Sequence, residues 1–591
     1  MWHFITLSDS DKHLRRQLLD HYANLAQLSA LAPLALLTIL NLTRHLRGRL
    51  RTHPHPSSPH LKHTRSRPSP FSIPSLLAPN NLHFFLTSPS PFPNFGTNAL
   101  LLSTLLHTSL LLLLSTLQTQ SDYLHLTKRL GLVAASQLPL HYLLAWKSPL
   151  NPISLLTGYS WEALNAAHQA LGRIITFLFA WHAALYLNFF VQAGVLGKRI
   201  RDWDVILGLV AVVLYAGMGG MALGVVRRCS YRAFVLVHVV VAVVVLPVMW
   251  GHVSHLRVYV VEAVGFWVVG TALRGLGTRT VEARVRRRGE GLVEVVVEGR
   301  QLSGGGWGPW SRGWVPGQHV YLAVEGMGRL PTAMGRNPYS IASLQGDGKL
   351  SCMVRVMGGN TKLLVGKEDE KRLIRLEGPY GRTDHLERLL ECDRVLLIAG
   401  GVGATFIMPL LRGLNTTRAD SVGGPKVEAV WAVKHVDEVQ WPLEGLAAEE
   451  QDALQKVLTV NLTREAPDGN TGSNAGKPNG ISNGSGPSIE GDEADEEEPA
   501  RDEGVEMQSL LKGDAESNRL EHDLSSEFSV QEGRPNVRKL VDQVFSHSST
   551  ERIAVYICGP KSMGDKVRTE VGSYVARGRD VVFWNEEFGL S

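Results

Sequence analysis

The sequence predicts a multi-pass α-helical membrane domain followed by a soluble module, which combines an antiparallel β-barrel with a parallel α/β domain. Three observations support this prediction. The first half of the chain carries several apolar stretches of membrane-spanning length. After Thr278, valines alternate with Arg and Glu on either side of a Gly-containing turn, as in a β-hairpin. From Arg394 onward, apolar strands alternate with helical stretches, which favours a parallel sheet.

Composition divides the chain in the same way. Its 591 residues exceed what one hydrophobic core usually serves, and 44% of them are hydrophobic. No Asp or Glu lies between Asp20 and Asp122, whereas residues 490–506 hold ten acids. The net charge of +5 is small for this length and predicts no nucleic-acid partner. The four cysteines are widely spaced and form no Cys-x-x-Cys, so they indicate neither a zinc site nor a disulfide framework.

Seven apolar stretches approach the length of about 20 residues that crosses a bilayer. They cover 23–42, 98–117, 131–146, 164–190, 205–225, 234–250 and 256–273. We therefore expect an N-terminal segment with the first span at 1–42 and a larger transmembrane domain at 98–275. The basic segment 43–97 between them is rich in Pro, Ser and His and is expected to be disordered. Its charge, with that of "RRCSYR" (227–232), predicts that these loops and the soluble half face the cytosol.

Histidines recur at one interval in two of these stretches. His168 and His182 are 14 residues apart, and so are His238 and His252. On an α-helix this interval brings both rings to nearly the same face, about 21 Å apart along the axis. An ionisable group in lipid is costly and usually functional. Two such helices could pair their histidines level with level and form two bis-imidazole sites, a ligand set that haem iron accepts.

Two assignments stay open at this stage. His255 competes with His252 for the outer site, although the matching interval favours His252. Arg173 could pair with a haem propionate or could anchor its helix at the membrane surface. Three further histidines have no partner at this interval and are expected to be structural or to lie in loops: His107, His125 and His141.

The soluble half divides into a barrel at 279–390 and an α/β domain at 391–591. In the α/β domain, "AGGVGAT" (399–405) follows the apolar strand "RVLLI" and leads into a helix, so its amides could bind a pyrophosphate. Lys434, which closes the next strand, could meet the 2′-phosphate of NADPH or could simply be solvated. Residues 465–535 are rich in Gly, Asn and Ser and then in acids, and are expected to form a disordered insertion.

At these motifs the chain resembles the fungal ferric-chelate reductases, within the wider group that includes the NADPH oxidases. The membrane part carries the block "GLVAASQLPLHYLL…NPISLLTGYSWEALNAAHQALGR" (131–173). The soluble part is similar to ferredoxin-reductase-like flavoproteins, with "PGQHVYL" (316–322), "NPYSIAS" (337–343), "GGNTKLL" (358–364), "EGPYG" (377–381), "CGP" (558–560) and "NEEF" (585–588).

The resemblance implies an FAD-binding domain and an NADPH-binding domain, with no residue of the chain acting as acid, base or nucleophile. The residues implied to bind FAD are Asn337, Pro338, Tyr339, Ser340, Gly359, Thr361 and Phe588. The residues assigned to NADPH are Gly400, Gly401, Gly403, Thr405, Lys434, Cys558, Gly559 and Pro560. Asn337 is a departure, because this family usually has His or Arg at that place.

The implied function is transmembrane electron transfer from cytosolic NADPH, through FAD and two b-type haems, to an extracytoplasmic ferric or cupric chelate. Such a ferric-chelate reductase would lie in the plasma membrane, in contact with lipid, and could work with an iron-uptake protein. Two alternatives stay open. One is an NADPH oxidase that reduces O2 to superoxide by the same route. The other is a non-catalytic membrane scaffold that recruits partners through the acidic residues 490–506.

Overall fold

The computed structural model describes residues 2–5, 7–51, 79–92, 95–289, 291–302, 308–324, 337–357, 359–365, 369–419, 424–463 and 528–587. Up to Leu276 the described chain is almost entirely helical. The helices are α1 (Asp9–Ser29), α2 (Leu31–Arg51), α3 (Pro79–Thr87), α4 (Asn98–Thr116), α5 (Tyr123–Ser136), α6 (Leu138–Leu144), α7 (Pro152–Thr157), α8 (Trp161–Gln192), α9 (Leu196–Arg199), α10 (Trp203–Met221), α11 (Gly224–Cys229), α12 (Tyr231–His252) and α13 (Arg257–Leu276).

Six stretches of the described residues are long and apolar enough to cross a membrane, which confirms the predicted multi-pass architecture. They are Asp9–Thr43, Asn98–Thr116, Trp161–Gln192, Trp203–Met221, Tyr231–His252 and Ser254–Leu276. The prediction of a seventh single span at 131–146 is wrong, because two shorter helices, α5 and α6, meet there at Gln137. Pro139 in the first turn of α6 has no amide hydrogen to donate to the Ala135 carbonyl, so the helix is interrupted.

The interrupted pair α5 and α6 lies at the centre of the bundle. From His125 to Pro139 every residue except Lys128 is buried. Helices α1, α4 and α8 pack around α5, while α8 and α13 pack against α6. Small side chains in this stretch let the neighbouring helices approach closely, as is typical of helix packing in membranes. This central position explains why α5 and α6 can contact histidines on α8.

The barrel follows α13 after a single residue, Gly277. Its strands are β1 (Thr278–Arg287), β2 (Leu292–Glu298), β3 (His319–Val324), β4 (Asn337–Ser340), β5 (Lys349–Arg355) and β6 (Glu370–Tyr380), with the short helix α14 (Gly299–Leu302) after β2. They pair antiparallel in the order β4-β3-β6-β1-β2-β5. A bridge between Ile341 and Cys352 brings the two edges together. Alternate residues of β1 are buried, as the period-two pattern predicts.

The remaining strands form one parallel sheet, which confirms the predicted α/β domain. They are β7 (Arg394–Gly400), β8 (Lys426–Val433), β9 (Leu458–Leu462), β10 (Ser529–Glu532), β11 (Arg552–Gly559) and β12 (Asp580–Glu587), in the order β10-β9-β8-β7-β11-β12. The helices are α15 (His385–Leu390), α16 (Ala404–Ala419), α17 (Ala448–Gln455), α18 (Val537–Phe545) and α19 (Lys561–Ala576). The strand order reverses between β7 and β11, and such a reversal opens a ligand crevice at the carboxyl ends of the strands.

Two segments that the sequence predicts to be disordered contain regular structure. Residues 43–97 include the end of α2 and all of α3. Residues 465–535 include β10, which pairs in parallel with β9. Both elements are stabilised by partners far away in the sequence, which composition does not reveal. Residues 52–78, 93–94 and 464–527 lie outside the described residues.

Candidate functional site

The four predicted histidines lie on two helices of the bundle, α8 and α12, in two pairs. The ring centroids of His168 and His238 are 6.1 Å apart, and the ring planes are inclined by 73°. His182 and His252 lie 14 residues further along the same two helices. The structure therefore brings together the inner pair that the 14-residue interval predicted, and the outer two histidines follow on the same helices.

Backbone carbonyls orient three of these rings through Nδ1. The Nδ1 of His168 lies 3.0 Å from the His141 carbonyl oxygen. The Nδ1 of His182 lies 2.7 Å from that of Thr127, and the Nδ1 of His252 lies 2.6 Å from that of Asp204. Because a carbonyl only accepts, Nδ1 must donate in each bond, and this leaves the Nε2 lone pair available to a metal. The Nδ1 of His238 is buried, with no hydrogen-bond partner among the described residues.

The space around the rings fits an imidazole-ligated group. A Cβ at Gly131 would stand 2.7 Å from the His182 ring, and a Cβ at Gly208 would stand 2.6 Å from the His252 ring. The two glycines thus form cradles that any side chain would fill. An imidazole nitrogen binds a metal at about 2 Å, so the 6.1 Å between the inner ring centroids leaves room for one ion between the rings. Two axial imidazoles are a set that haem iron accepts.

The choice between His252 and His255 is informed by their contacts. The His255 Nδ1 lies 3.0 Å from the Asp20 carboxylate on α1, so this ring is engaged away from His182. His252 lies on α12, 14 residues after His238, and its Nδ1 is 2.6 Å from the Asp204 carbonyl oxygen. This geometry favours His252 at the outer pair.

His141 is a member of the inner cluster that the sequence interpretation missed. Its ring stacks on that of His168, with centroids 3.9 Å apart and planes inclined by 11°. Gly172 makes room for this ring, because a Cβ there would stand 2.9 Å from the His141 Cε1. His141 was expected to be structural or to lie in a loop, and this stacking contact joins it to the inner histidine pair. His107 and His125 contact Gln137 and Arg129 respectively, as structural residues would.

The contact that the structure shows for Arg173 is neither of the two predicted for it, a haem propionate or the membrane surface. Its guanidinium lies 4.7 Å from the centroid of the Phe95 ring, in a cation–π contact. Phe95 belongs to the segment that leads into α4. The contact ties α8 to this segment on the side of the soluble module.

The two glycine-containing turns of the α/β domain meet at the crevice between β7 and β11. A Cβ at Gly403 would stand 2.1 Å from the Cys558 carbonyl oxygen, and a Cβ at Gly400 would stand 2.7 Å from Pro560. Only glycine permits this approach. The turn leads into α16, whose N-terminus favours an anionic group.

The other residues assigned to NADPH surround this crevice. Gly401 has φ +53°, and the Thr405 hydroxyl donates to the Val402 carbonyl, which closes the turn. Gly559 follows Cys558 at the end of β11, and Lys434 follows β8 as an exposed residue at the same edge of the sheet. Burial raises the pKa of the Cys558 thiol well above its usual range, and Glu586 adds to this effect. The thiol therefore stays protonated near neutral pH and is no nucleophile.

The residues assigned to FAD lie on or beside β4 and in the turn after β5. Asn337, Pro338, Tyr339 and Ser340 form β4, and the Asn337 amide lies 3.4 Å from the Tyr339 hydroxyl. Burial raises the pKa of Tyr339. Thr361 lies in a short helix that begins at Gly359. Its hydroxyl accepts a hydrogen bond from the backbone amide of Met357. Phe588 lies outside the described residues.

A polar junction joins the barrel to the bundle, and the sequence interpretation assigned none of its residues. His319 Nε2 lies 3.0 Å from the Glu162 carboxylate, six residues before His168 on α8. The Lys147 ammonium lies 3.0 Å from the centroid of the Tyr321 ring. His319 is part of the "PGQHVYL" motif, and this motif was the one feature of the sequence that could have indicated a functional role for it. The junction places the inner histidine pair at the end of the bundle nearest the barrel.

Fold and site together define a class of integral membrane protein in which a bundle with paired histidines is joined to a two-part cofactor-binding module. Residues 130–249 match the family model of the ferric reductase like transmembrane component, and residues 392–572 match that of the ferric reductase NAD binding domain. Both matches are therefore to models of the ferric reductase family, one within the membrane bundle and one within the α/β domain.

Several curated proteins are similar to the chain over much of its length. Ferric reductase transmembrane component 3 of Saccharomyces cerevisiae is 25% identical over 468 residues, which cover 76% of this chain and 59% of the relative. Ferric/cupric reductase transmembrane component 2 of the same yeast is 24% identical, with the same shares covered. The probable cell surface ferric reductase kap2 of Aspergillus oryzae is 24% identical over 60% of this chain and 50% of its own length. The chain thus spans between half and three fifths of the length of these relatives.

Two solved structures are also similar to parts of the chain. A ferredoxin NADP+ reductase from Neisseria gonorrhoeae with bound FAD and NADP is 12% identical, with a TM-score of 0.32, over 52% of this chain and 98% of its own. A flavohemoglobin from Malassezia yamatoensis with bound FAD and haem is 15% identical, with a TM-score of 0.34, over 78% of this chain and 96% of its own.

Proposed function

We propose that the chain is an NADPH-dependent ferric-chelate reductase of the plasma membrane. It would carry electrons from cytosolic NADPH, through FAD and two b-type haems, to a ferric or cupric chelate on the other side. The observation that carries this proposal is the pairing of four histidines on α8 and α12, with Nδ1 of three rings bonded to backbone carbonyls. A bis-imidazole set oriented in this way is suited to haem iron.

The arrangement of the sites along the molecule supports a direction for the electrons. Helix α8 begins at the barrel, where Glu162 contacts His319. It then carries His168 and, about 21 Å further along its axis, His182. The α/β domain, with its crevice between β7 and β11, lies at the soluble end. One helix thus connects the cofactor-binding module with the far end of the bundle.

When bound, FAD accepts a hydride and haem exchanges single electrons, so these cofactors supply the redox chemistry. The chain supplies position and environment. His168 and His238 would hold the inner haem, and His182 and His252 the outer one. Tyr339 and Thr361 would contact FAD, and the turns at Gly403 and Cys558 would hold the nicotinamide nucleotide.

The proposal is tested by separating the two halves of the route in full-length protein. We expect His182→Ala to reduce ferric-chelate reduction by NADPH to background, because the outer haem loses a ligand. Reduction of a soluble dye by NADPH should persist, because the soluble module is unaltered. A ferrous-chelator absorbance assay and a dye assay on the same membranes measure both activities.

His255→Ala is the matched control, since this neighbouring ring contacts Asp20 instead of His182. It should retain ferric reduction and both haems. Full ferric reduction by His182→Ala would refute the relay. NADPH-driven reduction of a bis-imidazole haem spectrum in wild-type membranes is the accompanying measurement, and superoxide formation that dismutase abolishes would identify O2 as the acceptor.

A further inference from the structure

The loop between α2 and α4 contains a segment that contacts the nucleotide-binding α/β domain. We call residues 79–92 the docking segment. It comprises α3 and the residues that follow, and α3 packs against α19 and β12 of the α/β domain. The contact thus links the polypeptide between two membrane-spanning helices to the α/β domain.

Arg568 on α19 makes the polar part of this contact. Its Nη2, which carries two hydrogens, lies 3.2 Å from the Phe84 carbonyl oxygen and 3.1 Å from each of the hydroxyl oxygens of Thr87 and Ser88. Its Nε lies 3.3 Å from the same Ser88 oxygen. A planar guanidinium has several N–H donors in a fixed geometry, so it can bond these acceptors and stack on a ring at the same time. The single ammonium group of Lys lacks this geometry.

Aromatic packing makes the apolar part. The Arg568 guanidinium lies 4.7 Å from the Phe84 ring centroid and 5.0 Å from that of Phe583 on β12. The two phenylalanine rings meet edge to face, 5.9 Å apart. A Cβ at Gly572 would stand 3.2 Å from the Phe84 ring, so glycine makes room for this ring on α19. The surface of the α/β domain is thus complementary to the docking segment in both shape and polarity.

The other end of the docking segment is tied to the bundle. The Asn98 amide donates to the Phe85 carbonyl at 3.0 Å, and the Asn98 backbone amide donates to the Ser88 carbonyl at 2.9 Å. Asn98 begins α4. Shortly before it, Phe95 lies under the guanidinium of Arg173 on α8. The segment therefore bridges the bundle and the α/β domain with short contacts at both ends.

Such a bridge has a mechanical consequence. Domains of one chain are expected to move relative to one another unless contacts between them restrain this motion. The barrel is attached to the bundle through α13 and the polar junction, and the α/β domain follows the barrel along the chain. The docking segment gives the α/β domain a second attachment to the bundle, in addition to its link through the barrel. Two attachment points restrict rotation of the α/β domain.

We propose that the docking segment is a clamp, and that Arg568 and Phe84 are positioning residues that hold the α/β domain against the membrane bundle. The clamp keeps the whole soluble module in the orientation that serves electron transfer to the inner histidine pair. The electron-transfer part of this inference rests on the proposed function, whereas the docking contact does not.

Arg568→Ala in the full-length protein tests the clamp. We expect the rate of haem reduction by NADPH to fall about tenfold, the factor that corresponds to about 1.4 kcal/mol of lost docking free energy. Dye reduction by NADPH should stay within about twofold, because the nucleotide crevice is unaltered. Hydrogen exchange of the backbone amides in residues 79–92 should become faster. Phe84→Ala should reproduce all three results.

The matched control is Arg577→Ala. Arg577 follows α19 and places its guanidinium 5.1 Å from the Tyr574 ring, inside the α/β domain. This variant should alter neither haem reduction nor hydrogen exchange of the docking segment. Unchanged exchange in Arg568→Ala would overturn the docking contact, and unchanged haem reduction with faster exchange would overturn its role as a clamp. If wild-type protein holds no reducible haem, the proposed function fails, and hydrogen exchange alone still decides whether the segment docks.

Discussion

At the scale of single residues, the bundle orients its imidazoles with backbone carbonyls instead of side-chain partners. His182, for example, donates Nδ1 to Thr127 at a helix turn that Gly131 keeps open. The 14-residue interval predicted which histidines pair, because helical periodicity alone fixes the face on which each ring lies. Periodicity could not reveal His141, which lies on another helix and reaches His168 only through tertiary packing.

Glycine positions in the nucleotide crevice offer a test that requires no haem. A Cβ at Gly403 would stand 2.1 Å from the Cys558 carbonyl oxygen, a backbone atom that cannot move aside cheaply. We expect Gly403→Ala to lower the free energy of unfolding of the α/β domain by about 1–3 kcal/mol. Binding of NADPH should weaken as well. Thermal unfolding with and without NADPH measures both effects.

Gly346→Ala is the control for this variant. No atom lies within 4 Å of its Cβ position, so we expect a change of less than about 0.5 kcal/mol. Equal effects of the two substitutions would show that close packing at Gly403 does not matter.

At the scale of elements, apolar length predicted most spans, because a helix in lipid must satisfy its own backbone over the full thickness of the bilayer. Apolar length did not predict the pair α5 and α6. These helices lie inside the bundle instead of facing lipid, so they can be short and can contain a charged residue, Arg129. The Arg129 guanidinium lies against the Tyr22 ring, and its Nη1 donates to the carbonyls of Leu114 and Leu117. Helix α3 escaped prediction for a different reason, because its partner Phe583 lies hundreds of residues away in the sequence.

Helix α15 offers an element-scale test of pH dependence. Burial opposes ionisation of Asp384 just before this helix, but hydrogen bonds and charges from Arg382 and Arg388 outweigh it and hold the pKa of Asp384 well below its usual range. A carboxylate with a depressed folded-state pKa contributes stability that is fully present above the unfolded-state pKa of about 4. This contribution is lost as the pH falls further towards the folded-state pKa.

We therefore expect Asp384→Asn to unfold at a lower temperature than the wild type at pH 7, and the difference to shrink as the pH falls below about 4. Thermal unfolding of purified protein across this range is the measurement. Asp452→Asn serves as the control, because Asp452 pairs with Lys456 on the exposed surface. A difference between Asp384→Asn and the wild type that stays constant with pH would contradict the assignment.

At the scale of the whole molecule, the order of attachments sets the order of the candidate cofactor sites. Helix α13 leads into β1 after one residue. Helix α8 begins at the barrel and carries one histidine of each predicted pair, His168 and His182. The sequence predicted each part, since apolar length, period two and strand-helix alternation are local patterns. It could not predict how the parts meet, because contacts such as that of His319 with Glu162 join residues with no periodic relation.

The ion pair between Arg274 and Glu377 tests how strongly the two halves of the molecule are joined. Arg274 in the last turn of α13 donates two hydrogen bonds of 3.0 Å to the carboxylate of Glu377, which is 0% exposed on β6. Without the guanidinium, this carboxylate keeps the Tyr380 hydroxyl but loses two charged donors. We expect Arg274→Met to lower the free energy of unfolding of the barrel by about 3 kcal/mol or more.

The double variant with Glu377→Gln should recover much of this loss, because it no longer buries a charge that has lost its partner. Lys371→Met is the control, since Lys371 pairs with Glu282 on the exposed face of the same sheet and should cost less than about 1 kcal/mol. The single variant Glu377→Gln completes the set. Denaturant unfolding, followed by tryptophan fluorescence, measures the free energy of unfolding of these four variants and of the wild type. If the double variant loses as much stability as the sum of its two single variants, the two residues are not coupled, and the junction is held by its other contacts, such as that of Lys147 with Tyr321.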